Sequence, residues 1–155
     1  MCGLQGDAVQ YHGGVAGFSR ASQHYFAGSA VVEIPDGETD AIAELEHAID
    51  LYVAGPEPGE DHSAHCQMIA HVDLATANLR AGQLDAAVVA TESVLALPPS
   101  RRIAGLPQRF DRARAELASA RYQGSPTATD LDERIEEFCR GTIVASSHSL
   151  PAGPG

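Results

Sequence analysis

The chain has 155 residues, 44% of them apolar but only 5% aromatic and none tryptophan, so its core must be built from Ala, Leu, Val and Ile, which favours close-packed helices in one domain. Its formal net charge is -11 and every basic residue is arginine; so acidic a surface repels phosphate, which argues against direct binding to nucleic acid. No apolar run approaches the roughly 20 residues needed to cross a bilayer, and the start lacks the basic and apolar parts of a signal peptide, so no membrane partner and a cytoplasmic location are expected.

In chain order, residues 1–17 are glycine-rich and weakly periodic and are expected as an irregular N-terminal segment. From Phe18 to Ile34 the spacing of Phe26, Ala30 and Ile34 predicts a helix, closed by Pro35-Asp36-Gly37. Its partner runs from Glu38 to Val53, with Ile42, Leu45, Ile49 and Tyr52 as the apolar stripe and acids in the first turn suiting the helix dipole. Gly55-Pro56-Glu57-Pro58-Gly59 then forms a loop.

Met68 to Pro99 reads as two antiparallel helices around Arg80-Ala81-Gly82. Met68, Val72, Ala75 and Leu79 stripe the first helix and Leu84, Val88, Thr91 and Leu95 the second. A hairpin cannot bury two stripes alone, so further pairs must stack on it. Arg101 to Tyr122 predicts another helix, striped by Leu106, Phe110, Ala113 and Leu117, with Pro107 bending it or marking its first turn. Ser125 and Pro126 are a cap and a first helical residue for a last helix striped by Leu131, Ile135, Phe138 and Cys139. The helical domain is thus expected over residues 18–141, and residues 142–155, small, polar and proline-bearing, as a disordered tail.

Charge is unevenly placed. Twelve acids accompany Arg20 alone up to Ala75, whereas nine acids meet nine arginines from Thr76 onwards. Arg101, Arg102, Arg109, Arg112, Arg114 and Arg121 fall in one predicted segment, which reads as a charged face pairing with the acidic first half, or else as a site for an anionic ligand. The three cysteines, Cys2, Cys66 and Cys139, are too scattered for a disulfide framework and fit a reducing compartment.

Over Met68–Pro99, Ala75, Gly82, Ala87 and Pro99 occupy the small, turn-glycine, small and terminal-proline positions of a repeat of about 34 residues, and the hairpin resembles a tetratricopeptide repeat. It departs from that pattern at His71, Asn78 and Thr91, where aromatic residues are favoured. Ala41 and Ala48 recur as Ala87 and Val94 at an offset of 46 residues. The fold expected is all-α, a tetratricopeptide-like helical-hairpin array (α-solenoid) of about six helices. The runs at His12–Ala30, Asp73–Ala87, Leu97–Arg109 and Tyr122–Cys139 further resemble the C-terminal helical-repeat region of actinobacterial helix-turn-helix transcriptional regulators. In that family a DNA-reading module precedes this region. Nothing before Phe18 offers two helices with a basic recognition face, so the chain is expected as a fragment or as a copy without a reader.

The resemblance implies a groove lined by the first helix of each pair. Carried onto this sequence it falls on Gln23, Phe26, Ala30 and Glu33, and on Ile69, Val72, Asp73, Thr76 and Arg80. Phe26 and Val72 also fit the packing stripes, which leaves Gln23, Asp73, Thr76 and Arg80 as the better contacts for a protein, a peptide, a second copy of the chain or a small molecule. A non-enzymatic interaction or ligand-sensing module without cofactor follows. The alternative is a metal or redox sensor. If Asp61–Leu79 is helical, His62, His65 and Cys66 share one face at a spacing that can present nitrogen and sulfur to zinc or copper, although no second pair exists to complete the set. Nucleophilic catalysis has less support, because no glycine elbow or oxyanion hole accompanies Cys66.

Overall fold

The structure is a computed structural model that describes residues 19–149, with side chains to residue 143. The expected irregular segment 1–17 lies outside the described residues. Among the described residues there are six α-helices and no strand: α1 Arg20–Val31, α2 Glu38–Ala54, α3 Ala64–Arg80, α4 Leu84–Leu95, α5 Leu106–Leu117 and α6 Pro126–Ser149. None of them is long and apolar enough to cross a membrane.

Local chemistry sets most helix ends. Ser19 accepts the Ser22 amide and Ser63 accepts the Cys66 amide, each satisfying a donor that the first helical turn leaves unpaired. Ser125 accepts the Ala128 amide, with Pro126 as the first helical residue of α6. Gly82, at φ 79°, turns α3 into α4, and the Gln83 amide donates back to the Asn78 carbonyl.

Packing rotates three of the expected stripes: on α1 the buried residues are Ala21, Ser22, Tyr25 and Gly28, while Phe26 is half-buried, Ala30 is exposed and Ile34, beyond the helix, is 56% exposed. On α2 the fully buried row is Ala41, Leu45, Ala48 and Tyr52, with Ile42 and Ile49 only partly covered. On α4 it is Ala87, Ala90, Thr91 and Val94, while Leu84, Val88 and Leu95 lie at the margin. Hydrophobicity marks the broad apolar side of a helix, but the line of closest approach goes to its smallest residues, because backbones can only near one another where side chains are short. Gly28 shows the limit: a Cβ there would stand 2.6 Å from Leu45 Cγ.

α3 is the centre of the molecule. It packs against α1, α2, α4 and α5, and Val72 through Leu79 are all buried, so its second half has no solvent face. α1 packs on α2, α5 on α6, and α6 also on α4. The Arg101–Tyr122 segment is not one helix. α5 occupies only its middle, with Pro107 in the first turn, and the flanks form 3-10 turns at Pro99–Arg101 and Ala120–Tyr122. The final helix continues to Ser149, so the boundary expected at residue 141 falls inside it: Thr142 is buried and its hydroxyl donates to the Phe138 carbonyl. Residues 150–155 lie outside the described residues.

Candidate functional site: the shared face of α1, α3 and α5

Asp73 is the anchor of this face. Its side chain is 2% exposed, and burying a carboxylate is costly unless it is paired and hydrogen-bonded. Three helices meet that requirement. From α1, Ser29 donates to Oδ2 at 2.6 Å; from α5, Arg109 Nη2 donates to Oδ2 at 3.1 Å and its Nε lies 2.9 Å from Oδ1. The same Nη2 also donates to the Tyr25 hydroxyl at 3.2 Å. Burial pushes the Asp73 carboxyl above its ordinary pKa, with Arg109 pulling it back. Burial also raises the Tyr25 phenol, reinforced by the Asp73 charge. For Arg109, burial acts to lower the pKa, but the charges of Asp73 and Tyr25 outweigh it and the net shift is upward.

Two further cross-links continue the line along α5. Arg112 Nη1 sits 2.6 Å from Glu33 Oε1, beyond the end of α1, and Arg80 Nε from α3 donates to Glu116 Oε1 at 2.9 Å. Arg80 Nη1 also donates to the Val32 carbonyl, tying the end of α3 to the end of α1. Next to these pairs opens a cleft of about 570 Å³, lined among others by Glu33, Ile34, Glu38, Arg80, Glu116 and Arg121. Ile34 is 56% exposed there, an apolar side chain ringed by charges of both signs. The lining sets carboxylates and guanidinium groups around an apolar side chain, groups that can recognise charge and shape.

The expected groove residues divide. Glu33 and Arg80 border the cleft. Asp73 and Thr76 face the interior instead: Thr76 is 1% exposed and its hydroxyl donates to the Val72 carbonyl, and Asp73 belongs to the buried network. Gln23 is exposed on α1 away from the cleft lining, and Phe26 is half-buried against the core. Tyr25, Ser29, Arg109, Arg112 and Glu116 were missing from the expected set. The arginine-rich segment was the available signal for α5, but nothing local says which acid each arginine meets.

That segment pairs inward as well as with the acidic first half. Arg114 holds Asp132 and Glu136 of α6, and Arg121 donates to the Leu79 and Arg80 carbonyls. Arg102 donates to the Leu97 and Phe138 carbonyls, with its guanidinium carbon 4.2 Å from the Phe138 ring centre.

The metal-ligand arrangement is not formed. The helix begins at Ala64 because Ser63 is its cap, so His62 precedes the helix and does not share a helical face with His65 and Cys66. Its ring packs on Tyr52 at 5.0 Å between centroids, and Cys66, 1% exposed, is disulfide-bonded, contrary to the expectation of scattered free thiols, so its sulfur is not available to a metal. Among the described residues no group of three or more His, Cys, Asp or Glu side chains is placed to hold a metal ion. Cys139, the free cysteine among the described residues, is half-buried, and burial pushes its thiol up to about 11, leaving little thiolate for redox chemistry. Comparison with known protein families, with curated proteins and with solved structures finds no match to this chain.

Proposed function

We propose that the chain is a non-enzymatic interaction module of the tetratricopeptide type, in which α1–α2, α3–α4 and α5–α6 are three helical hairpins and the shared face of α1, α3 and α5 receives a protein or peptide. Support comes from the packing order, in which α3 touches both α1 and α5 while α4 touches α6, as stacked hairpins require. The observation that carries the reading is the cleft beside Ile34, where Glu33, Glu38 and Glu116 lie with Arg80 and Arg121 around its exposed side chain. Such a surface suits a segment that carries both charges and an apolar anchor. The resemblance to the C-terminal region of actinobacterial regulators supports an effector role and, with it, a cytoplasmic location.

Selection of peptides from a displayed library on the full chain tests this. Enriched peptides should lose at least about tenfold in affinity for Glu33→Ala and Arg80→Ala, with the helical circular dichroism unchanged. Glu38→Arg, at a half-buried rim position, reads the same site should Arg80→Ala unfold. Peptides indifferent to all of these changes, or no enrichment at all, would refute the assignment.

A further inference from the structure

A second recess lies on another side of α3, in a groove of about 460 Å³ between its first half and the end of α4. Small-molecule sites usually measure about 300 to 1,000 Å³. Ala64 and Met68 of α3 face Val94 and Leu97, from α4 and the segment after it, which gives the groove aliphatic walls. His71 adds a polar edge, but its ring N–H is already engaged with the Ala90 carbonyl. Arg101, exposed on the 3-10 turn Pro99–Arg101, is the formal cation among the lining residues, and no acid lines the groove to compete for it.

Arg101 differs from its neighbours. The guanidinium groups of Arg102, Arg109, Arg112, Arg114 and Arg121 are each held by a carboxylate, a carbonyl or a ring, whereas the Arg101 guanidinium has no hydrogen bond or ion pair among the described residues. An unpaired guanidinium beside an aliphatic trough, in a chain of net charge -11, is complementary to an anion with an apolar tail. We propose that this groove binds an aliphatic carboxylate, the chain lying against Met68, Val94 and Leu97 and the carboxylate accepting two N–H bonds from Arg101.

Titration calorimetry on the full chain with sodium decanoate, decanol and decyltrimethylammonium separates head from tail. Decanoate should bind saturably at one site, and the neutral and cationic analogues at least about tenfold more weakly. Arg101→Gln should weaken decanoate by about tenfold or more while leaving decanol unchanged. Arg140→Gln, which removes the same charge from an exposed position on α6, should bind decanoate as the parent does. Equal affinity for decanoate and decanol, decanoate binding untouched by Arg101→Gln, or no saturable binding would each overturn the proposal.

Discussion

Asp73 on α3 and Arg109 on α5 form an ion pair in which the carboxylate is 2% exposed and the guanidinium 26%, and the same guanidinium reaches Tyr25 on α1. One pair thereby fixes the relative position of three helices.

Removing one charge of such a pair leaves the other desolvated and unpaired. Asp73→Asn keeps the shape of the side chain and should cost about 2 to 4 kcal/mol, read from urea denaturation. Because Arg109 is then the source of the penalty, Asp73→Asn with Arg109→Gln should cost less than the two single changes added together. Additive costs would mean that the pair is not coupled in solution.

The approach of α1 to α2 makes a second expectation. Ala is the better helix former by about 1 kcal/mol, so an uncrowded Gly28→Ala would be stabilising. Here the added carbon would meet Leu45 Cγ at 2.6 Å, and Leu45 is wholly buried with nowhere to retreat. The variant should therefore be less stable than the parent, with overpacking of about 1 to 3 kcal/mol exceeding the propensity gain. Ala87→Leu, at 0% exposure on α4, should lose a similar amount. A stabilised Gly28→Ala protein, or a neutral Ala87→Leu, would show that these helices are further apart than described.

His71 predicts a pH dependence. Burial holds its imidazole below the ordinary value of 6.5, the bond to the Ala90 carbonyl opposing this only in part. As pH falls below 6.5, the unfolded chain takes up this proton before the folded one does, so stability must decline until the folded imidazole also protonates. His65 is shifted in the same direction by burial, so the informative quantity is a difference between proteins. The fall in unfolding free energy between about pH 7 and pH 5 should be shallower for His71→Gln than for the parent. Identical slopes would mean that His71 does not contribute.

Helix identities were legible in the sequence because their signals are local. Ser125-Pro126, Gly82 and the Pro107 turn act within one helical turn of themselves, and each delimits a helix end. The start of α3, read at Met68 or, for the metal alternative, at Asp61, falls at Ala64 for an equally local reason, the Cys66 amide bonding to the Ser63 hydroxyl. The candidate site was half legible. Glu33 and Arg80 were found by repeat position, but their partners Arg112 and Glu116 lie on a helix distant in sequence.

By itself the sequence determined that this protein is a helical chain, where most of its helices turn, and that its core draws mainly on Ala, Leu, Val and Ile. Tertiary structure alone decided which face of α1, α2 and α4 is inside, that Asp73 is an interior charge and not a groove contact, and that Arg101 stands apart from the other arginines of its segment. The reason is range. Backbone capping and turn geometry are fixed by neighbours a few residues away, whereas burial and ion pairing depend on which helices arrive alongside, and one stretch of sequence carries no record of that.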